Sequence, residues 1–364
     1  MTDNPTADNE EVEDLAENED SEATPAIYDI SSYGAEYTVD TIRQRMERGR
    51  FVVPDFQRNF VWDRKKASRF IESLLLGLPV PSIFLYKDEG KGLHLIVDGQ
   101  QRLITLMRFF KGFFGERKFR LYGVAEPWNG KTIDDLSESE REALEDAIIH
   151  TIVFKQESPP GSNNSIFHVF ERLNSGGMIL NPQEIRNSVN YGNFVELLKD
   201  CNNVESWRQI YGPKHKRMKD CELILRFFAL FFKGDEYQKP MRDFLDKFMW
   251  EYRDIDDQYS RTMYDLFEES INYVVGGLGK SAFRPERALN AAVFDAVMVN
   301  VANIISAKKV LPQKDDFRSM YQAMLSDEDF QAAYTSATSD EENLKARLQV
   351  AKNYLTKGLN NELA

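Results

Sequence analysis

Leu95-Ile96-Val97-Asp98-Gly99-Gln100-Gln101-Arg102-Leu103 is the stretch of sequence that decides the fold of this chain. Its first three residues are apolar and predict a buried strand, Gly99 permits a tight turn, and Leu103 begins the apolar face of a helix. A strand that turns at a glycine into a helix directs the backbone N–H groups of the first helical turn, and the positive end of the helix dipole, at one point. The stretch therefore predicts an anion-binding turn between a strand and a helix.

Arg102 and Asp98 are the charged residues of this turn. The helix dipole disfavours a cation in the first helical turn by roughly 0.3–1 kcal/mol, so an anion between Arg102 and the amides would explain the arginine. A guanidinium can bind phosphate in bidentate fashion, and Asp98 could cap the helix or bind a Mg²⁺ that accompanies a triphosphate. The alternative is that Asp98 is only an N-cap and Arg102 only a surface residue paired with it. These residues alone leave both interpretations open.

The sequence on both sides of the turn predicts a mixed α+β region followed by an all-α helical region. Asp63 precedes an amphipathic pattern as an N-cap, and two strand-like runs on either side of Asp88-Glu89-Gly90-Lys91-Gly92 predict a hairpin. After residue 192 the strand patterns end and long helical patterns remain. Two predicted helices are recognised by an apolar face: a short one capped by Thr38, with Val39, Ile42 and Met46, and one after Gly99, with Leu103, Leu106, Met107 and Phe110. The other predicted helices are at residues 64–76, 134–146, 165–173, 221–232, 241–250, 260–275 and 290–306, with another that begins at Pro182, and the predicted strands are at 51–53, 82–86, 93–97 and 148–154.

The net charge of −13 is concentrated at the N-terminus, because residues 1–24 hold ten acids and no lysine or arginine. This segment predicts a disordered tail, since it has too little apolar surface to offset the entropy of ordering. The nearly balanced remainder argues against a protein that coats polyanions generally, although it permits a local basic groove. The tail is either a solvated end or a competitor of nucleic acid for such a groove.

Several classes of protein are excluded or disfavoured by composition. Hydrophobic residues make up 42% and charged residues 29%, as in globular proteins, and no run of about 18 apolar residues predicts a membrane-spanning helix. The acidic N-terminus resembles neither a signal peptide nor a transit peptide, and two cysteines fit a reducing compartment. We therefore predict a cytoplasmic protein without a membrane partner. The four histidines lack the spacing of metal ligands, and the chain has no Gly-x-x-x-x-Gly-Lys-[Ser/Thr] loop.

Two further segments combine polar groups with turn signals. Pro54-Asp55-Phe56-Gln57-Arg58-Asn59-Phe60-Val61-Trp62 places aromatic residues beside Gln57 and Arg58, which suits base stacking and phosphate contact, although the rings could equally be core anchors. Glu171-Arg172-Leu173-Asn174-Ser175-Gly176-Gly177 ends a predicted helix with paired glycines. That segment is either a structural helix end or a loop of N–H groups that contributes, with Arg172 and Ser175, to an anion site.

Together these three segments resemble the N-terminal domain of the GmrSD family of modification-dependent restriction endonucleases, a branch related to the ParB/sulfiredoxin fold. The resemblance covers roughly residues 35–190 and depends on the order and spacing of all three motifs. It implies a ParB/sulfiredoxin-like mixed sheet with helices, and predicts a division into an acidic tail at residues 1–24, a nucleotide-binding domain at 25–190 and a helical domain at 191–364.

The resemblance also implies a pocket that binds and hydrolyses a nucleoside triphosphate, with Mg²⁺ held by Asp98. The residues that it places around the nucleotide come from all three motifs: Gln57, Arg58, Asp98, Gly99, Gln100, Gln101, Arg102, Arg172, Asn174, Ser175, Gly176 and Gly177. Asp98, Gln100, Gln101 and Arg102 are the catalytic candidates among them. In the family, DNA cleavage commonly belongs to a separate His-Asn-His domain. This sequence departs from that pattern, because only His215 follows residue 190.

Three functions follow from these observations. The first is a nucleoside-triphosphate-binding and hydrolysing subunit of a DNA-restriction or anti-phage defence system, with DNA and a separate nuclease subunit as partners. The second is a metal-dependent DNA endonuclease that uses the same domain, for which only Asp55 and Asp98 are evident carboxylates near the motifs. The third is a non-enzymatic, nucleotide-gated scaffold, because no residue is an evident general base and Gln100 or Gln101 could only orient water.

Overall fold

The computed structural model describes residues 12–13, 29–53, 60–88, 90–158, 169, 182–190, 192–215 and 217–357. The chain forms two compact units. One unit is Ile27–Leu180, and the other combines Met1–Ala26 with Asn181–Ala364. The first contains a mixed sheet with helices and the second is mainly helical, so the predicted α+β class with a helical C-terminal region is confirmed.

The Ile27–Leu180 unit contains both strands and helices. Asp63 is the N-cap of its second helix, as predicted, and accepts a hydrogen bond from the Lys66 amide at 2.7 Å. The predicted hairpin and the predicted strand at 148–154 are also confirmed. In chain order after β1 (Val12–Glu13), the elements are β2 (Asp29–Thr38), α1 (Val39–Glu47), β3 (Phe51–Val52), α2 (Arg64–Leu75), β4 (Ile83–Asp88), β5 (Leu93–Asp98), α3 (Gln100–Lys111), β6 (Phe113–Phe114), β7 (Arg117–Lys118), α4 (Glu138–Asp146) and β8 (Ile148–Ser158).

Five strands form the main sheet in the order β2-β8-β4-β5-β3. β4 is antiparallel to β5 and parallel to β8, β3 is parallel to β5, and β2 is antiparallel to β8. Because β3 and β5 are parallel, their carboxyl ends lie at the same edge of the sheet, where β4 begins. The chain therefore leaves β3 toward residues 54–59 at the same edge at which the Asp98–Arg102 turn begins.

One strand of this unit is not predicted from the sequence, and one predicted helix is too long. The unpredicted strand, β2, is an edge strand with most of its residues exposed, and its side chains do not alternate between apolar and polar. The predicted helix at 134–146 is shorter, because Ser137 caps α4 with Glu140 in a capping box.

The core of this unit lies between one face of the sheet and the helices. Ile83, Leu85 and Ile96 come from the two central strands, and each is fully buried. Leu103, Leu106 and Phe109 of α3 join them at helical spacing. The apolar face of α3, predicted from the sequence, therefore fixes the helix on the sheet and sets the direction of its N-terminus.

The second unit has its own core, to which nearly every helix contributes. Strand β1 pairs in parallel with a short strand of this unit, Val12 with Leu289. The long helices predicted from the sequence after residue 192 are confirmed. The elements are α5 (Pro182–Val189), α6 (Asn193–Cys201), α7 (Glu205–Tyr211), α8 (Lys219–Lys233), α9 (Met241–Tyr252), α10 (Asp257–Leu278), β9 (Leu289–Asn290), α11 (Ala291–Ser306), α12 (Lys314–Leu325), α13 (Glu328–Thr335) and α14 (Glu341–Leu355).

Buried ion pairs connect the helices of the second unit. Arg226 on α8 pairs with Asp295 on α11 at 2.6 Å, and Arg347 on α14 donates to the same carboxylate at 3.4 Å. Arg186 on α5 pairs with Glu222 at 2.9 Å and also with Asp246. These arginines are almost fully buried, so their carboxylate partners are essential to the packing of the unit.

Within the described parts of the chain, none of the helices combines the length and the apolar character that crossing a membrane requires.

Candidate functional site

The turn between β5 and α3 is built on Gly99. Its φ of 97° and ψ of 5° lie in the left-handed region, which an L side chain rarely adopts. A Cβ at this position would also overlap Cγ2 of the buried Ile83 on β4. Glycine is therefore required here for two independent reasons, backbone conformation and close approach of a neighbouring strand.

The N-terminus of α3 has no side-chain cap. Gly99 itself occupies the N-cap position, and a glycine has no side chain with which to cap the first-turn amides. The interpretation of Asp98 as the N-cap is therefore wrong. The Gly99 carbonyl accepts the first helical hydrogen bond from Leu103 at 3.1 Å, so the helix begins directly after the glycine. First-turn amides without a side-chain cap, at the positive end of a helix dipole, are an arrangement that can bind an anion.

Arg102 holds this turn to the chain that enters β4. Its Nη2 donates to Asp98 Oδ2 at 2.7 Å, and its Nη1 donates to the carbonyl of Ser82 at 3.0 Å and to that of Pro81. The side chain is 10% exposed, so the interpretation of Arg102 as a surface residue is wrong, whereas its predicted pairing with Asp98 is present. Burial lowers the pKa of the guanidinium, and Asp98 opposes that shift. These three hydrogen bonds thus hold the turn in its conformation.

Gln101 connects the turn to the segment before α2. Its Oε1 accepts hydrogen bonds from the amides of Val61 at 3.0 Å and Trp62 at 3.3 Å. The Gln101 carbonyl also accepts a hydrogen bond from the Thr105 hydroxyl at 2.7 Å. The amide oxygen of Gln101 is therefore used in the structure of the site.

Gln100 differs from the other residues of the turn. Its Oε1 is enclosed and accepts no hydrogen bond from the described residues. A buried acceptor without a donor costs stability, so its presence requires an explanation. Gln100 thus has an amide oxygen that the described part of the fold does not use.

Asp98 retains one carboxylate oxygen beyond its contact with Arg102. Its side chain is 38% exposed, and only Oδ2 accepts from the guanidinium. This oxygen could serve as one ligand of a Mg²⁺ ion. One protein ligand is sufficient where phosphate oxygens and water complete the coordination. Across the described ranges, no three His, Cys, Asp or Glu side chains are grouped so that they could hold a metal by themselves.

The remaining predicted site residues lie outside the described residues. The positions of Val61 and Trp62, held by Gln101, show that the chain after residue 59 returns to the N-terminal end of α3. β3, which precedes the second motif, is parallel to β5, and Val52 lies opposite Leu95. The predicted residues in question are Gln57, Arg58, Arg172, Asn174, Ser175, Gly176 and Gly177.

A mixed sheet with helices, with a glycine-initiated helix at the carboxyl end of a central strand, defines an α+β domain with a candidate anion site. Residues 39–190 match the family model described as GmrSD restriction endonuclease, N-terminal domain. This part of the chain belongs to that family, as the motifs predicted, whereas the relation to the ParB/sulfiredoxin fold stays a prediction. No curated protein matches the chain. The matched range includes α5, which lies in the helical unit.

Sequence reasoning misses the partners of the turn. Pro81, Ser82 and Ile83 fix Arg102 and Gly99, although they precede the motif by about twenty positions. The predicted hairpin is the available signal, because it places the start of β4 opposite the end of β5. It does not reveal which of the motif's side chains would face that strand.

Replacement of Arg102 by alanine is expected to lower the free energy of unfolding by about 1–3 kcal/mol, because two carbonyls and Asp98 lose their donor. Asp98→Asn is the matched control, since its amide oxygen still accepts from Arg102 and the expected loss is under about 1 kcal/mol. Urea unfolding of both variants measures the difference. An Arg102→Ala variant as stable as wild type would contradict the structural role.

Proposed function

We propose that this chain is a component of a DNA-restriction or phage-defence system, and that it binds a nucleoside triphosphate at the N-terminus of α3. The observation that carries the proposal is the first turn of α3, which begins at a left-handed glycine without a side-chain cap. The family of residues 39–190 supports the restriction context through its description. The phosphate groups are the part of the ligand that this geometry would recognise.

The backbone amides, rather than Arg102, would make the phosphate contacts. The charge of Arg102 is balanced by Asp98 at 2.7 Å, and both of its Nη groups donate to protein oxygens. The dipole and the amides of α3 remain as the source of attraction for an anion. Arg102 is then a positioning residue that keeps Gly99 and the amides in the conformation that the phosphates require.

Asp98 Oδ1 would hold a Mg²⁺ bound with the triphosphate, and this ion would supply neutralisation of charge on the phosphate oxygens. Gln100 would orient a water molecule through Oε1, as a neutral side chain does in some nucleoside triphosphatases, once nucleotide binding admits water to this enclosed atom. Gln101 would support the site by holding Val61 and Trp62. The two adjacent glutamines thus receive different roles.

Gln100→Leu tests the catalytic role against a structural one. Leucine removes an unpartnered buried acceptor, so we expect unchanged or slightly higher thermal stability, with phosphate release reduced about tenfold or more. Gln101→Leu is the matched control, because it deprives two amides of their acceptor and should lower stability by about 1–2 kcal/mol. Full phosphate release by a folded Gln100→Leu variant would remove Gln100 from the mechanism.

Phosphate release from ATP, GTP, CTP and UTP with Mg²⁺, with and without DNA, tests the proposal directly. Turnover by wild type that is lost in Gln100→Leu would establish hydrolysis and locate it. Thermal stabilisation by a nucleotide without turnover would instead establish a nucleotide-gated scaffold. Neither signal, combined with metal-dependent nicking of a plasmid, would replace the proposal by the endonuclease interpretation.

A further inference from the structure

Eight cations on one part of the Ile27–Leu180 unit have no acidic partner. All of them except Arg108 are exposed, and no ion pair involves any of them within the described part of the unit. They come from α2, from the C-terminal half of α3 and from the β6–β7 hairpin. The surface formed by these side chains and the aromatic rings beside them is called the basic face: Arg64, Lys65, Lys66, Arg69, Arg108, Lys111, Arg117 and Lys118, with Phe60, Trp62, Phe113, Phe114 and Tyr122.

On α2, the cations lie against aromatic rings rather than carboxylates. The guanidinium of Arg64 is 4.6 Å from the centre of the Tyr122 ring, and Lys66 Nζ is 5.1 Å from that of Trp62. The Tyr122 amide donates to Ser68 Oγ at 3.0 Å, which fixes the Tyr122 segment along the helix. The cations of α2 and the exposed Tyr122 ring therefore form one continuous surface.

The same arrangement continues from α2 to α3 and the hairpin. Arg108 lies 4.0 Å from the ring centre of Phe60 and 5.6 Å from that of Phe114. Phe60 and Phe114 are themselves in edge contact at 5.5 Å. Phe114 pairs with Arg117 across the hairpin, beside the pair Phe113 and Lys118. Phe60 and Trp62 thus connect the cations of α2 to those of α3 and the hairpin.

Several cations elsewhere in this unit do have acidic partners. Arg43 pairs with Asp40, and Lys131 contacts Glu140 at 3.2 Å. Arg120, next to the hairpin, lies 3.7 Å from Asp135. The eight cations of the basic face are instead available to an external anion or the solvent.

The acids near the basic face do not neutralise it. Asp63 accepts from the Lys66 amide as the N-cap of α2, and Glu72 accepts from the Ala125 amide at 2.5 Å. Glu116 stands between β6 and β7 and is exposed. Asp135 is a fourth acid near the basic face, since hydrogen bonds from Thr132 lower its pKa and Lys118 contributes to that shift. Eight cations against four carboxylates leave a positive region on a chain whose net charge is −13. Such a region attracts a polyanion in spite of the net charge of the whole molecule.

We propose that the basic face binds the sugar–phosphate backbone of nucleic acid, with the exposed rings of Tyr122 and Phe113 available to stack on unpaired bases. The proposal deepens the proposed function, on which it rests for the restriction context, by assigning the contact with nucleic acid to the α+β unit. Cations interleaved with exposed aromatic rings suit phosphates and bases together, whereas an acidic peptide would use only the cations. Tyr122 is 52% exposed and Phe113 is 54% exposed, as stacking on a base requires.

Binding of a labelled DNA duplex and of its labelled single strand to the full chain, measured by fluorescence anisotropy, tests the proposal. The double variant Arg69→Glu/Lys118→Glu changes two exposed side chains without hydrogen-bond or ion-pair partners. At about 100 mM salt we expect it to weaken binding about tenfold or more, and to reduce the dependence of the dissociation constant on salt. Tyr122→Ala should weaken binding of the single strand more than that of the duplex.

Lys309→Glu/Lys345→Glu is the matched control, because it makes the same change of charge on exposed residues of the helical unit. It should bind DNA within about twofold of wild type if location rather than net charge decides affinity. Equal weakening by both double variants, absence of binding by wild type, or preference for anionic lipid vesicles over DNA would overturn the proposal. Thermal stabilisation by nucleotide should be unchanged in Arg69→Glu/Lys118→Glu. This measurement distinguishes a failure of the proposed nucleotide site from a failure of the proposed nucleic-acid surface.

Discussion

Replacement of Gly99 by alanine is expected to lower the free energy of unfolding by about 2–4 kcal/mol and to abolish nucleotide binding. The expected loss combines a left-handed backbone that alanine adopts at a cost of about 1 kcal/mol or more with overlap of the new Cβ and Ile83 Cγ2, which costs about 1–3 kcal/mol. Ile83 is fully buried on β4, so it cannot move away without disturbing the sheet. Urea unfolding and nucleotide-dependent thermal shifts measure the two effects.

Gly112→Ala is the control on the same helix. Gly112 is the C-cap of α3 with a φ of 79°, and nothing lies within 4 Å of the position that a Cβ would occupy. It should therefore show only the backbone cost of about 1 kcal/mol, with nucleotide binding retained. Equal losses in the two variants would mean that Ile83 does not constrain the turn, and the account of Gly99 would be wrong in that respect.

Replacement of Asp295 by alanine is expected to lower the free energy of unfolding of the helical unit by about 3–5 kcal/mol, because two buried arginines lose the carboxylate that they share. Arg226 and Arg347 both donate to this carboxylate, which is itself fully buried. Burial already lowers the pKa of Arg347 to about 10, and Asp295 acts against that shift. Thermal unfolding monitored by circular dichroism should show the largest loss among the variants described.

The triple variant Arg226→Met/Asp295→Leu/Arg347→Met separates the loss of a contact from the presence of unpaired charge. It removes all three charges while keeping similar side-chain volumes, so its stability should exceed that of Asp295→Ala. If the triple variant is the less stable of the two, the ion network contributes net stability and the unpaired arginines are not the main cause of the loss.

The two phosphate-binding interpretations of the motif now make different predictions for Arg102. Direct phosphate binding by the guanidinium would leave stability unchanged in Arg102→Ala while nucleotide affinity falls. The contacts with Pro81, Ser82 and Asp98 predict that stability falls as well. Gln100 is the better probe of chemistry, because its replacement does not remove a contact on which the turn depends.

The sequence by itself determined the order of the main elements, the α+β class, the helical C-terminal region and the family of residues 39–190. It could do so because glycine turns, N-caps and apolar spacing act over a few residues, and three short motifs occur in a fixed order. It missed β2, whose exposed edge position removes the alternation by which strands are recognised.

Only the tertiary structure decided which hydrogen bonds the side chains of the motif make. Arg102 and Gln101 are residue types that often bind ligands. Here Arg102 donates to the backbone carbonyls of Pro81 and Ser82. Gln101 accepts from the backbone amides of Val61 and Trp62. The basic face likewise unites α2, α3 and the hairpin, whose cations are separated in sequence by acids and apolar residues. The physical reason is the same in both cases: a hydrogen bond or an electrostatic field depends on distance in space, and packing of the core against the sheet sets that distance.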